Sequence, residues 1–519
     1  MKFILLILMI HLSLQAKEFS VIIDKPFNEA LVDITQDYDR SISAIGFTKE
    51  FKGTQNKSAV YTNAFDYLSS LSHSNGSRIA LIKVDKKTNI IFNKEIKVEQ
   101  FSKAVSIIKT PTNGYFIGGY TSDGFLLIQQ LDSQANVIFS QRFGTTNHNT
   151  MNKLVLLQDG GVLAIGNATS TRSDNDSIFE SGLGLNDIYV ARFTKNGQKI
   201  WSKKYGTQYD DKGIDAVEAD DGSIIIVGTT ASKDNTNISL MRITQNGTKI
   251  WLKHLKEDVK VTPYKIIKLR DSNFLLSLSQ ENELKKEQIR LVKFNLQQDI
   301  LIDKDITTSY ASALKDIEEY SDGTIVGVGY VKDTYNTDAL VMMLNNTLDM
   351  LNQEHYGDEN YDIFNAVTIL HNSQAAVAGV HTSANSQESN MWITKVNRDA
   401  TIVQVSTKTE DFYLALQELF TDEIKRGILK IKDDLTIELL HKNLLFNVGE
   451  HKLNPTQITF MNKFSKKLIP FLYKNKKYIK NLEVNGHTSS EWKNANFTNT
   501  YLKNEKLSMR RSFSTLTHI

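Results

Sequence analysis

Seven apolar stretches of this 519-residue chain end in a small residue at Gly46, Gly119, Gly166, Gly228, Ser279, Gly329 and Gly379, and the last four stand 51, 50 and 50 residues apart. In the clearest copies the stretch is the second arm of a hairpin. Leu154-Val155-Leu156-Leu157 turns at Asp159-Gly160-Gly161 into residues 162–166. Ala216-Val217 turns at Asp220-Asp221-Gly222 into 224–228, and Asp316-Ile317 turns at Ser321-Asp322-Gly323 into 325–329. Aspartate and glycine between apolar runs favour a tight reversal, since both tolerate the backbone angles it requires. A third strand follows with its own turn. Residues 187–193 turn at Lys195-Asn196-Gly197 and return through Trp201, and 237–243 turn at Gln245-Asn246-Gly247 and return through Trp251. Later copies lie at 339–344 and 391–396, with weaker ones at 78–84, 125–129 and 290–294.

Four strands per unit, about fifty residues each and seven copies specify a mainly β chain folded as a seven-bladed β-propeller over residues 27–408. Residues 30–34 open the first blade, and insertions at 52–76 and 170–185 account for the longer intervals. The period-2 pattern excludes a helical solenoid, and a β-sandwich does not repeat this evenly. The Trp201 and Trp251 copies resemble the tryptophan-docking motif of quinoprotein-type propellers, with Ala191, Gly197 and Trp201 in place and Phe193 where that motif has aspartate. The resemblance implies a structural tryptophan, set in the core between blades.

At the N-terminus, Lys2 precedes an apolar run from Phe3 to Leu14 and then Gln15-Ala16. A positive start, a run of about a dozen apolar residues and a small residue at the cut site describe a secretory signal peptide over 1–16. The run is too short for a spanning helix, which needs roughly 20 apolar residues. No cysteine is present, so disulfides, thiolate metal sites, a Cys/His nucleophile pair and lipoprotein acylation are all excluded. With 61 basic and 59 acidic residues the net charge is +2, which argues against a nucleic-acid partner. Lys466, Lys467, Lys474, Lys476 and Lys477 fit the solvated face of an amphipathic helix and its exit. Eleven histidines are scattered without metal-ligand spacing. Asp174-Asn175-Asp176 and Asp358-Glu359 with Asp362 are acidic loops that do not match a calcium-loop spacing. Ser321-Asp322-Gly323-Thr324 shares part of a sialidase Asp-box but lacks its closing tryptophan, and the hairpin explains it equally. No metal, no cofactor and no catalytic set is expected, and the chain reads as a non-enzyme.

The last part of the chain is of another kind. Leu482-Glu483-Val484-Asn485 alternates as a half-buried strand does and ends at Gly486, which lets the backbone turn. A helix is expected over 505–516, with Asn504 as its N-cap and Arg511 about two turns in. An arginine fork at that place suits a carboxylate, to which it donates two parallel hydrogen bonds. Leu444-Leu445-Phe446-Asn447-Val448-Gly449, Gly486-His487-Thr488, Asn504 and Leu507-Ser508-Met509-Arg510-Arg511 stand in the order and spacing of the OmpA/MotB C-terminal family, which this region resembles over 433–519. The resemblance implies a small α/β domain that binds the stem-peptide diamino acid of peptidoglycan, with Gly486, Thr488, Ser489, Asn504, Leu507 and Arg511 as its site. Two departures stand out. Ser489 occupies the place of the family's aspartate, with Glu491 the nearest acidic substitute, and the family's final strand has no counterpart before Ile519. Residues 409–432, with Tyr413, Leu414, Leu416, Leu419 and Phe420 at helical spacing, are expected to link the two modules.

These expectations combine into an exported protein of the periplasm, peripheral to the outer membrane. Its C-terminal domain holds to peptidoglycan a propeller that offers loops to an envelope protein or glycan. The alternatives are a propeller scaffold for outer-membrane protein assembly and a propeller-type carbohydrate-active enzyme.

Overall fold

The computed structural model describes residues 6–12, 17–24, 28–49, 77–96, 102–111, 113–121, 123–144, 149–169, 186–231, 236–255, 257, 259–284, 286–333, 336–358, 360–382, 388–405, 407–432, 435–447, 450–486 and 497–517. The chain forms two compact units, Phe19–Val403 and a second made of Met1–Glu18 with Gln404–Ile519.

The first unit consists of seven four-stranded antiparallel sheets. Six use consecutive strands: blade 1 runs from Asn28–Gln36 to Ile90–Ile96 and blade 2 from Ser102–Lys109 to Val137–Phe143. Blade 3 runs from Thr150–Leu156 to Lys199–Tyr205, blade 4 from Asp211–Glu218 to Lys249–Leu255, blade 5 from Val261–Lys268 to Ile300–Ile306 and blade 6 from Ala311–Glu319 to Met350–Tyr356. Blade 7 takes three strands from Ile363–Ile369 to Asn390–Val396 and its fourth, Ser20–Ile23, from the start of the chain, in register from Ser20↔Thr394 to Ile23↔Met391. The first strand of each blade packs against the first strands of its two neighbours, blade 7 against blade 1 included. The ring is therefore closed, and the unit is a seven-bladed β-propeller. The sequence reading opened it at residue 27 and so passed over the strand that closes it.

Second and third strands are buried along almost their whole length, as in Ile224–Ala231, whereas fourth strands such as Lys199–Tyr205 are largely open. A sheet covered on both faces wants apolar residues at every position, which is why these strands read as continuous runs. Apolar clusters fill the space between adjacent blades, such as Phe116, Phe143 and Phe193 between blades 2 and 3. The cluster between blades 7 and 1 is small, with Ala30, Phe47 and Val380 at its centre. Trp201 of blade 3 donates from Nε1 to Gln245 O of blade 4 at 2.9 Å, beside Tyr205 Oη bonded to Gly247 O at 2.6 Å. The tryptophan is half-buried and pins one blade to the next turn, the structural role its motif implied.

The repeat glycine has a local cause. Every first strand carries a β-bulge at the same place, from Leu31/Asp33 in blade 1 to Phe364/Ala366 in blade 7. The second-strand residue opposite the bulge is crowded by the first strand's backbone. At Gly329, a Cβ would lie 1.9 Å from Ala313 O. In blade 5 this place is held by Leu278, paired with Pro263, and not by Ser279, which lies one residue further on. Proline is tolerated at bulges because no ladder hydrogen bond needs its missing N–H.

The second unit holds a four-stranded sheet in the order Leu429–Ile431, Thr436–Leu439, Leu6–Leu12, Ile479–Gly486. Leu6–Leu12, part of the apolar run at the chain start, pairs antiparallel with both neighbours. Helices span Thr407–Leu419, Thr421–Lys425, Pro455–Lys474 and Phe497–Leu516. The segment read as a linker contributes Phe412, Leu416 and Phe420 to this core, and Phe420 stacks on Phe464 with ring centres 4.8 Å apart. The helix Pro455–Lys474 starts at a capping box, Asn454 with Gln457, and buries Gln457, Met461, Phe464 and Leu468 on one face. Lys466 and Lys474 lie exposed on the other, as their spacing predicts.

Candidate functional site

Arg511 lies in the helix Phe497–Leu516 and is fully buried. Its Nε donates to Glu450 O at 2.8 Å and its Nη2 to Asn447 O at 2.9 Å, with the guanidinium 5.2 Å from the Phe446 ring centre. The fork thus clasps the loop after Phe446. Burial lowers its pKa from the ordinary value, yet arginine remains charged at any physiological pH. Leu507 and Thr515, one turn to either side, are buried on the same helix face. Gly486 ends its strand as expected. Asn504 does not cap a helix. The helix begins at Phe497, so Asn504 lies within it and Arg511 sits roughly four turns in. The residues from Phe497 to Lys503 contain no proline or glycine, so nothing stops the helix from starting earlier than the acidic Glu505 suggested. Thr488 and Ser489, with His487 and Glu491, lie outside the described residues, as do Gly449, Ala16, both insertions and the Asp174–Asp176 loop. Asp362 is fully buried and accepts from His381 Nδ1 at 2.7 Å, Asp358 N at 3.0 Å and Thr382 N at 3.0 Å.

A second constellation surrounds the propeller axis. The residue after each bulge is Asp33, Ser106, Lys153, Asp215, Lys265, Asp316 or Ala366 in blade order. Three aspartates use one oxygen to bridge to the next blade. Asp33 Oδ2 accepts from Ile107 N at 2.9 Å, Asp215 Oδ2 from Ile266 N at 3.1 Å and Asp316 Oδ2 from Val367 N at 2.9 Å. The two lysines neutralise this ring, Lys153 Nζ lying 3.0 Å from Asp33 and Lys265 Nζ 3.1 Å from Asp316. Burial works against the Lys265 ammonium, but Asp316, Asp215 and Asp33 outweigh it and hold its pKa above the ordinary value. Burial pushes the Asp215 carboxyl up, against the pull of Lys265 and Lys153. Sequence reading missed this ring. Its signal was a charged residue recurring at 215, 265 and 316, at the spacing of the blade repeat.

Glu318 stands beside the ring. Burial, then Asp316, raises its pKa to about 7, against a hydrogen bond from Ile369 N at 2.8 Å. A carboxyl with a raised folded pKa contributes stability in full below its unfolded pKa of 4.5, and that contribution is lost as pH rises to about 7. The shift corresponds to roughly 3 kcal/mol. Glu318→Gln should therefore flatten the fall in unfolding free energy between pH 4.5 and 8, measured by denaturant titration. An unchanged slope would place the charge elsewhere.

No family model and no curated protein matches the sequence. Solved structures similar to the chain include hydrazine synthase of Kuenenia stuttgartiensis, at 10% identity over 73% of this chain and 98% of that one, with a TM-score of 0.45. The BP39L lectin of Burkholderia pseudomallei matches at 6% identity over 73% of this chain and all 100% of that one, at 0.47. A polysaccharide lyase, an ulvan lyase, matches at 9% identity over 64% of this chain and 90% of that one, at 0.45. Likenesses this distant carry no argument about activity.

Proposed function

We propose that this chain is a non-catalytic cell-envelope protein whose C-terminal unit binds peptidoglycan and whose propeller presents an interaction surface. The reading is supported by one observation above all: strand Thr436–Leu439, helix Pro455–Lys474, strand Ile479–Gly486 and helix Phe497–Leu516 follow in the order of the peptidoglycan-binding domain, with Arg511 directed to the loop after Phe446. The diamino acid of a stem peptide offers a carboxylate and an ammonium. Arg511 brings its positive charge to the loop after Phe446, which its Nε and Nη2 hold, and Ser489 offers a hydroxyl where a carboxylate would bind more strongly.

Co-sedimentation with purified sacculi tests this. The full chain should pellet, Ser489→Asp should pellet at least about tenfold more tightly because a charge-assisted bond replaces a neutral one, and Arg511→Ala should stay in solution. Circular dichroism checks that the last variant keeps its helices. Failure of both the full chain and Ser489→Asp to pellet would overturn the reading.

A further inference from the structure

Charge is distributed unevenly along this chain. The last 69 residues, 451–519, carry 13 of its 61 basic residues and only three of its 59 acidic ones, for a charge of +10, whereas residues 1–450 carry −8. The two long helices of the second unit, Pro455–Lys474 and Phe497–Leu516, lie in this stretch. A composition this one-sided attracts an anionic partner.

What the helices expose narrows the partner. In Phe497–Leu516, Leu507, Arg511 and Thr515 are buried, and the far side holds Met509, Phe513 and Leu516, which are 68%, 70% and 54% exposed. Positions i, i+4 and i+7 fall within roughly 60° of the helix circumference, so the three form a stripe. Exposed Lys506 and Arg510 border it. The helix Pro455–Lys474 has the same build. It buries Met461, Phe464 and Leu468, and it exposes Ile469 and Tyr473 one turn apart, beside Lys463, Lys466 and Lys474. Lys476 Nζ lies 4.7 Å from the centre of the Tyr473 ring. Single exposed apolar residues are common and need no explanation. Three large ones in a row, bordered by cations, are the pattern of a helix that lies in a lipid interface. Among the described residues no helix is long and apolar enough to cross a membrane, so the contact is with a membrane surface. An acidic polymer would use the charges and leave the stripe in water, whereas an anionic lipid surface uses both.

We propose that the second unit docks on an anionic phospholipid surface, with Met509, Phe513 and Leu516 entering the boundary between headgroups and acyl chains and Lys506 and Arg510 meeting the phosphates. The apolar side chains supply an attraction that salt does not screen, and the cations supply one that it does. This names the surface through which an envelope protein would touch lipid. It does not depend on peptidoglycan binding, because Arg511 is buried on the other side of the same helix.

Flotation of the full chain with lipid vesicles tests it, in the absence of any peptidoglycan. Vesicles of equal parts phosphatidylglycerol and phosphatidylcholine should carry the chain upward at about 0.1 M salt. Phosphatidylcholine alone should carry at least about tenfold less, since each basic side chain near an anionic surface is worth roughly fivefold. Met509→Ser with Phe513→Ser should weaken binding to the anionic vesicles at least about tenfold. Melting temperature and sacculus pelleting should be unchanged in that variant, because both side chains lie outside the core. Lys506→Gln with Arg510→Gln should weaken binding to the anionic vesicles by at least about tenfold and leave the weak binding to phosphatidylcholine as it was. No flotation of the parent with anionic vesicles would overturn the site. Flotation undiminished in the double serine variant would do the same, since the contact would then lie elsewhere in the chain. Complete release of the parent at about 1 M salt would reduce the contact to charge alone and remove the stripe from it. If the parent is a dimer in solution and the double serine variant a monomer, the stripe belongs to a second copy of the chain and the lipid site falls.

Discussion

A chain beginning at residue 25 should melt at a clearly lower temperature than one beginning at residue 17. The eight residues between these starts contain Ser20–Ile23, the outer strand of blade 7. They also contain Phe19, fully buried, with Lys395 Nζ 3.9 Å from its ring centre. Phe19 N donates to Val403 O at 2.7 Å, Trp392 Nε1 donates to Ser20 Oγ at 2.8 Å, and Thr394 Oγ1 donates to Phe19 O. Burying one phenylalanine and two or three aliphatic side chains contributes about 5 kcal/mol before the lost strand pairing is counted. The seam it closes has the small Ala30, Phe47 and Val380 cluster to fall back on. The shorter chain should therefore melt at least about 5 °C lower, with amide exchange accelerated first in blades 7 and 1. Equal melting and equal exchange would mean that the Glu29–Ser389 contacts, N to O at 2.8 Å, hold the ring by themselves.

Gly329→Ala should be almost as damaging, although it adds one methyl group. The new Cβ would meet Ala313 O at 1.9 Å, and backbone cannot rotate away as a side chain can. Either the bulge in blade 6 is lost or two strands separate. If the bulge is lost, Asp316 shifts register and its bonds to Val367 N and Lys265 go with it. A cost of about 4 kcal/mol is expected, in the range reserved for backbone clashes in a packed core. Chemical denaturation would read this directly. Gly427→Ala makes a useful comparison: its φ is 63° but nothing lies within 4 Å of the added atom. It should cost only about 1 kcal/mol. Similar costs for the two would mean that blade 6 absorbs the clash.

The blades were legible because each is local. Hairpin turns, apolar runs and the recurring glycine all lie within about fifty residues, and each has a cause that a sequence displays. The closing strand was not legible, because Ser20–Ile23 is four residues long and pairs with Met391–Thr394 at the far end of the propeller. Nothing local marks a partner that distant. The channel charges were visible as letters, but only the bulge brings Asp33, Lys153, Asp215, Lys265 and Asp316 to one level around an axis. In the C-terminal unit the strand that ends at Gly486 followed from its alternation. The helix start did not, because Glu505 offered a plausible first turn inside a longer helix.

The strand Leu6–Leu12 gives the start of the chain two incompatible employments. As a leader it is cut away, and as a strand it joins Thr436–Leu439 to Ile479–Gly486 from between them. A cut chain would present two facing, unsatisfied edges, a socket of one strand's width that any extended segment of suitable register fills. An uncut chain carries its own plug. Cleavage after Ala16, which the leader reading expects, would open that socket from a peptide bond hundreds of residues away in sequence, and readiness to accept a further strand would then report on processing.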